Sequence, residues 1–353
     1  MNTGTGTFNL KKQVFKNINY IIVGGILVVF LALYLAGLLS ARSFITPNML
    51  VQIAYTIILV VSLNHVVGFL GELSLGHAGF MYIGAYCGGL FSYYTQEIIT
   101  SGLLRILISM LIGGSVAFIF GLIIGLPALR LRGDYLAIVT LAFGEIVRTV
   151  LKNITIKGPI NNPAMGLSLD RYGPSLFIVA FCVALIALFC IQNLVFSKHG
   201  RAITAIRDNE IAARSIGINI TNYKLIVFAI AAFFAGVAGV IFAHFSSVSP
   251  SSFTYNYSIE ILVMVVLGGM GSITGSIVSS VFIVLLNTLL QAKMTGTLAG
   301  YKYLAYALIL ILVMMINSSP SFAPLKSRLN WQYLMDVLRS KKQQKKESKG
   351  ENR

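Results

Sequence analysis

The sequence predicts an all-α protein: a polytopic membrane helix bundle of about ten transmembrane spans with a 5+5 inverted pseudo-repeat. Three observations predict this class. Apolar residues make up 56% of the 353 and charged residues only 11%, where soluble domains carry about 25%. Mean hydropathy is +0.82. The apolar residues gather into runs close to the roughly 20 residues that a helix needs to cross a bilayer. The chain has 33 glycines against 8 prolines, a balance that suits close helix approach better than low-complexity disorder.

Ten runs can be drawn: 18–39, 50–70, 79–95, 103–126, 134–151, 175–195, 223–245, 257–271, 273–292 and 301–317. The first follows Lys11, Lys12 and Lys16. It exceeds the roughly 7–15 apolar residues of a signal peptide and reads as a retained span. The eighth is short and ends at Gly268, Gly269 and Gly271, which suggests a half-helix. A shift of 173 lays 50–70 over 223–243, Ser74 on Ser247 and Phe80 on Phe253. Five spans separate the copies, so their orientations are opposite.

The net charge of +16 raises the question of nucleic-acid binding. The basic residues sit at the termini and in gaps between runs, as the positive-inside rule expects, and no nucleic-acid partner is expected. With the N-terminus inside, the cytoplasmic segments are 1–17, 127–133, 196–222 and 318–353. Counting Lys224 at the adjoining helix end, they carry 3, 2, 5 and 9 Lys or Arg, 19 of the chain's 27. The expected organisation is a cytoplasmic N-terminus (1–17), a transmembrane domain (18–317) and a basic cytoplasmic tail (318–353). In the tail, Trp331, Leu334, Met335 and Leu338 form one apolar stripe, suited to a helix on the inner membrane surface. The alternative is a solvated tail with a topogenic role alone, and the final KKQQKKESKGENR reads as disordered. Cys87, Cys182 and Cys190 lie in apolar runs without CxxC partners and read as small buried hydrophobes, with no metal site.

The segment GFLGELSLGHAGF (68–80) places four glycines between 68 and 79. A continuous helix there is costly, at about 1 kcal/mol for each glycine relative to alanine. Broken backbone at membrane depth is tolerated only against protein or a water-filled cavity. Gly71, Glu72, Ser74, Gly76, His77 and Gly79 are therefore candidates to line a transport path, with a tight glycine-packed loop as an equal alternative. Ser249 belongs to the repeat's copy of this break. GGMGSITG (268–275) is a second break and adds Gly268 and Gly271. Ionisable residues in or near the runs are His65, Glu72, Glu145, Arg148, His244 and Glu260. Glu145 and Arg148 stand at i,i+3 and read as a local ion pair. Glu260 is the strongest intramembrane candidate, with a hydrogen bond to a neighbouring helix as the alternative role.

Residues 197–222 are too polar to insert and longer than a connector requires. Ile203, Ile206, Ala213 and Ile216 make an apolar face, Glu210 precedes Arg214 at i,i+4, and Gly217 stands where a C-terminal cap belongs. The expectation is a helix over 201–216 that presents Ile206 and Ala213 to a partner, with charges at the rim.

EIAARSIG (210–217) resembles the EAA-xxx-G coupling element of ABC importer permeases. GELSLGHAGFMYIGAY (71–86), GLPALRLRGDYLAIVTLAFGEIVR (125–148) and VVLGGMGSITG (265–275) resemble the LivM type of branched-chain amino-acid permease. The similarity spans roughly 48–320, in the family's order and spacing. The resemblance implies a non-enzymatic permease subunit in the lipid of a bacterial or archaeal cell membrane, with both termini cytoplasmic. It implies that Arg201, Ile206, Glu210, Ala213, Arg214 and Gly217 couple the chain to an ATPase. The implied partners are a homologous LivH-type permease, two ABC ATPase subunits and an extracytoplasmic amino-acid-binding protein. ATP and Mg would be bound by the ATPases, with no cofactor in this chain. Urea-type permeases carry Gln-Gly where this chain has Gly76, His77 and Ala78, which favours the amino-acid branch. The alternatives are a permease for urea or another small polar solute, and a proton-coupled transporter using Glu260 or Glu145. The latter needs no cytoplasmic coupling helix. The sequence contains no GxxxxGK[ST], HExxH or GxSxG motif, so an importer of this type borrows its ATPase.

Overall fold

A computed structural model describes residues 19–26, 28, 47–131, 133–154 and 176–293, with the isolated positions 307, 308, 311 and 315. The chain divides into two units, Met1–Thr288 and Leu289–Arg353. In the second unit the described residues are the end of one helix and the four isolated positions, all helical. Most of the first and last predicted runs and the whole basic tail, with its apolar stripe, lie outside the described residues.

Helix α1 (Pro47–Asn64) continues into a π-helical turn (His65–Leu70). Then come α2 (His77–Tyr94), α3 (Gly102–Ala128), α4 (Asp134–Asn153) and α5 (Leu176–Phe196). Two short helices follow, α6 (Lys198–Asp208) and α7 (Glu210–Ser215), and then the long α8 (Ile220–Phe245). A 3-10 turn (Pro250–Phe253), α9 (Tyr255–Gly268) and α10 (Ile273–Lys293) complete the order. No strand occurs among the described residues. The second to ninth predicted runs each coincide with one helix.

Local chemistry sets the helix ends. Pro47 opens α1, a position where its missing N–H costs nothing. Asp134 lies in the first turn of α4 and Lys152 in the last, each matching the helix dipole. Asn219 caps α8 by accepting from the Asn222 amide at 3.2 Å.

Asn48–Leu70, Gly102–Ala128, Leu176–Phe196, Ile220–Phe245 and Ile273–Leu290 are each long and apolar enough to cross a membrane. Helix α9 is apolar but has 14 residues, short of the roughly 20 needed for a full span; the expected half-helix is there. Burial identifies the centre. The α1 span is 94% buried within the chain and α8 72%, against 39% for α3 and α10. Helices α2, α3 and α8 meet through glycines: Gly84 lies against the backbone of Gly236, and Gly113 against Gly84 and Val240. The outer face of α3 carries Leu103, Leu107, Leu111, Ile119 and Ile123, all exposed, as a surface covered by lipid or a partner should be. Cys87 is half-buried and Cys182 and Cys190 are exposed on α5. The expectation of three buried thiols fails for those two, which lie on the exposed side of α5.

Candidate functional site

The segment between α5 and α8 is an elbow rather than the single helix expected over 201–216. Ser197 caps α6, its hydroxyl accepting from the His199 and Gly200 amides at 3.1 and 3.3 Å. At Asn209 the backbone turns extended, with φ −158° and ψ 105°, and its side chain accepts from the Ala212 amide at 3.0 Å. Asn209 thus ends one helix and caps the next. Gly217 terminates α7 with φ +84°. The Gly217 amide donates to Arg214 O at 3.0 Å and the Ile218 amide to Ala213 O at 3.1 Å, the paired bonds of a Schellman cap. The expected role of Gly217 as a cap is met.

The apolar side chains of the elbow divide between two faces. Ile203, Ile206 and Ala213 are buried within the chain, 2–3% exposed, whereas Ile211 is 80% and Ile216 74% exposed. The expectation that Ile206 and Ala213 face outward is corrected: both pack against the chain's own bundle. Arg201 is exposed. Arg214 is 69% exposed and pairs with Glu210 at 3.5 Å.

Against this elbow lies a polar junction. Lys224, in the first turns of α8, is buried; its ammonium pairs with Glu72 and reaches Glu210 Oε2 at 3.3 Å. Arg207 Nη1 donates to Gly68 O at 2.9 Å, while Nε and Nη2 hold Asp208. Asn64 is fully buried, accepting from the Gly271 amide at 2.9 Å and donating to Ser272 O at 3.1 Å. The breaks at 65–76 and 268–275 are therefore joined side by side at the foot of α8. Gly71 and Gly271 have φ of +84° and +80°, conformations that glycine alone adopts readily. Gly268 lies in backbone contact with Gly275.

After the π-helical turn, residues 71–76 run without helical structure into α2. Glu72, Ser74, Gly76, His77 and Gly79 are all buried within the chain. Leu75 donates to Thr140 Oγ1 at 3.0 Å, Ala78 to Ser258 Oγ at 3.1 Å, and His77 Nε2 lies 2.8 Å from the Ser62 hydroxyl. Ser74 Oγ finds no partner among the described residues. A Cβ on Gly76 would stand 2.7 Å from Thr140 O, and one on Gly79 2.8 Å from Gly144 Cα, so both glycines serve close packing against α4.

The copy of this break, around Ser249, reaches the same helix. Tyr255 N donates to Glu145 Oε1 at 3.1 Å, and Glu145 pairs with Arg148 at 2.6 Å. Phe253 stacks on Tyr82 with ring centroids 4.6 Å apart. Ser249 is half-buried and shares hydrogen bonds with Ser251 and Ser252. Glu260 lies apart from this cluster, half-buried, and accepts from Asn287 Nδ2 at 3.5 Å. His65 is buried, and neither of its ring nitrogens has a partner among the described residues.

Lys224, Arg207 and Asn64 were not singled out from the sequence. Lys224 reads there as one more topogenic cation. The signal that was available is its position after Asn219, inside an apolar run, where a charge needs a partner.

Residues 45–318 match the family described as branched-chain amino acid transport system permease component. The chain is 41% identical over 266 residues to the high-affinity branched-chain amino acid permease protein LivM of Salmonella typhimurium, covering 67% of this chain and 61% of that protein. The probable LivM of Methanocaldococcus jannaschii is 28% identical over 213 residues, 58% of this chain and 59% of its own length. The L-arabinose ABC transporter permease AraH of Azospirillum brasilense is 27% identical over 312 residues, 83% and 86% of the two chains. The chain thus spans about three-fifths of the LivM proteins it matches. No solved structure matches it. With its apolar helices and its match over most of its length, this multi-pass membrane protein belongs to the family of branched-chain amino acid transport system permease components.

Proposed function

We propose that the chain is the transmembrane permease subunit of an ATP-driven importer for leucine, isoleucine and valine. It forms the translocation path with a homologous LivH-type permease and receives solute from an extracytoplasmic amino-acid-binding protein. Two ABC ATPase subunits bind ATP and Mg and hydrolyse the nucleotide; this chain carries no cofactor. The observation that carries this reading is the capped elbow at 197–217. It holds Ile211, Arg214 and Ile216 outward on a stub fixed to the bundle, the shape of a docking element for a partner domain.

Both termini are cytoplasmic in this reading, and residues 1–17, 196–222 and 318–353 lie inside the cell around a permease domain of ten spans at 18–317. The distribution of Lys and Arg supports the orientation. The helix starts support the 5+5 repeat: Pro47 and Ile220 stand 173 apart, as do His77 and Pro250. Gly71, Glu72, Ser74, Gly76, His77, Gly79, Ser249, Gly268 and Gly271 border the path, and Glu260 lies in the wall beside it. The meeting of both breaks on α4 supports this placement.

The test is uptake by the purified complex in proteoliposomes, with a panel of leucine, isoleucine, valine, urea, ribose and arabinose. The expected result is ATP-dependent uptake of the three branched amino acids, unchanged when the proton gradient is collapsed. Uptake that persists without ATP and follows the proton gradient would replace this reading with a secondary transporter. ATP-dependent uptake of urea or a pentose alone would keep the importer and change its solute.

A further inference from the structure

Two ties connect the elbow to the candidate path, and both end on the same stretch of chain. Arg207 of α6 reaches the carbonyl of Gly68 in the π-helical turn, and its stem lies against Gly71, where a Cβ would stand 2.7 Å from Arg207 Cγ. Glu210 of α7 holds the ammonium of Lys224 at 3.3 Å, and the same ammonium holds Glu72. Glu72 lies on the non-helical segment 71–76, whose residues 72, 74 and 76 are buried. Glu210 also faces outward to Arg214. A chain of alternating charge therefore runs from an exposed arginine, through one carboxylate and a buried lysine, to a carboxylate on the path segment.

Resting on the importer reading, we propose that Lys224 is a positioning residue that transmits the position of the docked elbow to segment 71–76. Its chemistry fits the role. An ammonium is a compact charge with three rotatable donors on a flexible stem, so it keeps two carboxylates while the elements bearing them shift. Glu72 and Glu210 lie on separate elements and approach each other through this cation. A partner carboxylate that takes Arg214 releases Glu210 from its outer pairing and strengthens its hold on Lys224. That change reaches Glu72 without any contact between the partner and the path. Segment 71–76 can answer as a unit, because beyond Glu72, whose amide donates to Val66 O at 3.2 Å, it is held by the isolated bond of Leu75 to Thr140 rather than by a helical ladder.

The experiment uses the complete complex with its binding protein and compares wild type with Lys224→Met. Three quantities are read: ATPase co-purification, basal ATP hydrolysis, and the stimulation of hydrolysis and uptake by leucine-loaded binding protein. The expected result is full ATPase occupancy with basal hydrolysis retained, while stimulation and uptake fall about tenfold, the scale of a typical coupling between sites. Glu72→Gln combined with Lys224→Met should lower stimulation no further than Lys224→Met alone. Wild-type stimulation in Lys224→Met overturns the proposal, as does additive loss in the pair. Should Lys224→Met fail to assemble, the neutral pair Glu72→Gln/Lys224→Gln leaves no uncompensated buried charge and is read in the same way. Lost stimulation with bound ATPase supports transmission, whereas normal stimulation, or failure of this pair to assemble as well, overturns it. A wild-type complex without ATP-dependent uptake would instead remove the importer reading itself.

Discussion

The glycines of the α2–α3–α8 core and those of the junction at the foot of α8 do opposite work. In the core, Gly84, Gly113 and Gly236 bring helix backbones into contact across apolar surfaces. Their nearest neighbours are one another, Gly114, Ala117 and the side chain of Val240. At the junction, Gly71, Gly217 and Gly271 adopt positive φ; the first two end helical segments and the third turns the chain between α9 and α10. The backbone groups freed there are taken by side chains: Arg207 holds Gly68 O, and Asn64 holds the Gly271 amide and Ser272 O. The core is a frame whose contacts have no alternative partners. The junction is a set of directional bonds between separate segments, the kind of interface that can exchange one arrangement for another. In a transporter the first must stay fixed for the second to move against it.

That contrast predicts a graded series. The largest loss should come from Gly236→Val, because a Cβ there would stand 2.6 Å from Ala117 Cβ and 2.9 Å from Gly113 O. Overpacking a site with no room costs about 3 kcal/mol. Thermal unfolding in detergent should show it, with uptake lost in step with folded protein. Asn64→Ala comes next: it leaves the Gly271 amide and Ser272 O unpaired, at about 1–3 kcal/mol. Here uptake should fall further than the amount of folded protein does. Equal losses in both would make the junction part of the frame and dissolve the distinction. Gly217→Ala meets nothing within 4 Å, so only its φ is strained, by about 1–2 kcal/mol. Hydrogen exchange should quicken at the amides of 216–218 and stay unchanged in the core helices. Arg214→Ala should be smallest, at about 0.5 kcal/mol or less, because its pair with Glu210 is on the surface.

Much of the frame was legible in the sequence. Long apolar runs leave a helix no alternative in a bilayer, and eight of the ten appear as helices with ends close to those expected. Gly217 was legible as a cap, since a glycine after EIAARSI has a specific geometric use. The elbow was not. Ile203, Ile206, Ala213 and Ile216 fit one helical stripe only if the helix is continuous, and Asn209 breaks it. Asn209 before Glu210 is itself a capping signal, whereas the i,i+4 pair Glu210–Arg214 lies wholly after it and says nothing about the break. Ile203, Ile206 and Ala213 still share a face, but it is turned to the chain's own bundle, which no local pattern reveals. The junction was least legible of all. Glu72 and Lys224 are 152 residues apart, and Asn64 and Gly271 are 207 apart, so no local pattern links them. The packing role of Gly76 and Gly79 likewise appears only when α4 is in place.

The central claim is that the elbow at 197–217 docks the ATPase through the side chains it holds outward. The most direct measurement is ATPase co-purification with the Ile211→Asp permease, read beside the permease's own melting temperature. Ile211 is 80% exposed and packs little within the chain. The melting temperature should therefore be that of wild type, while bound ATPase falls about tenfold or more, the scale of one buried isoleucine. Wild-type occupancy together with wild-type solute-stimulated hydrolysis would contradict the claim.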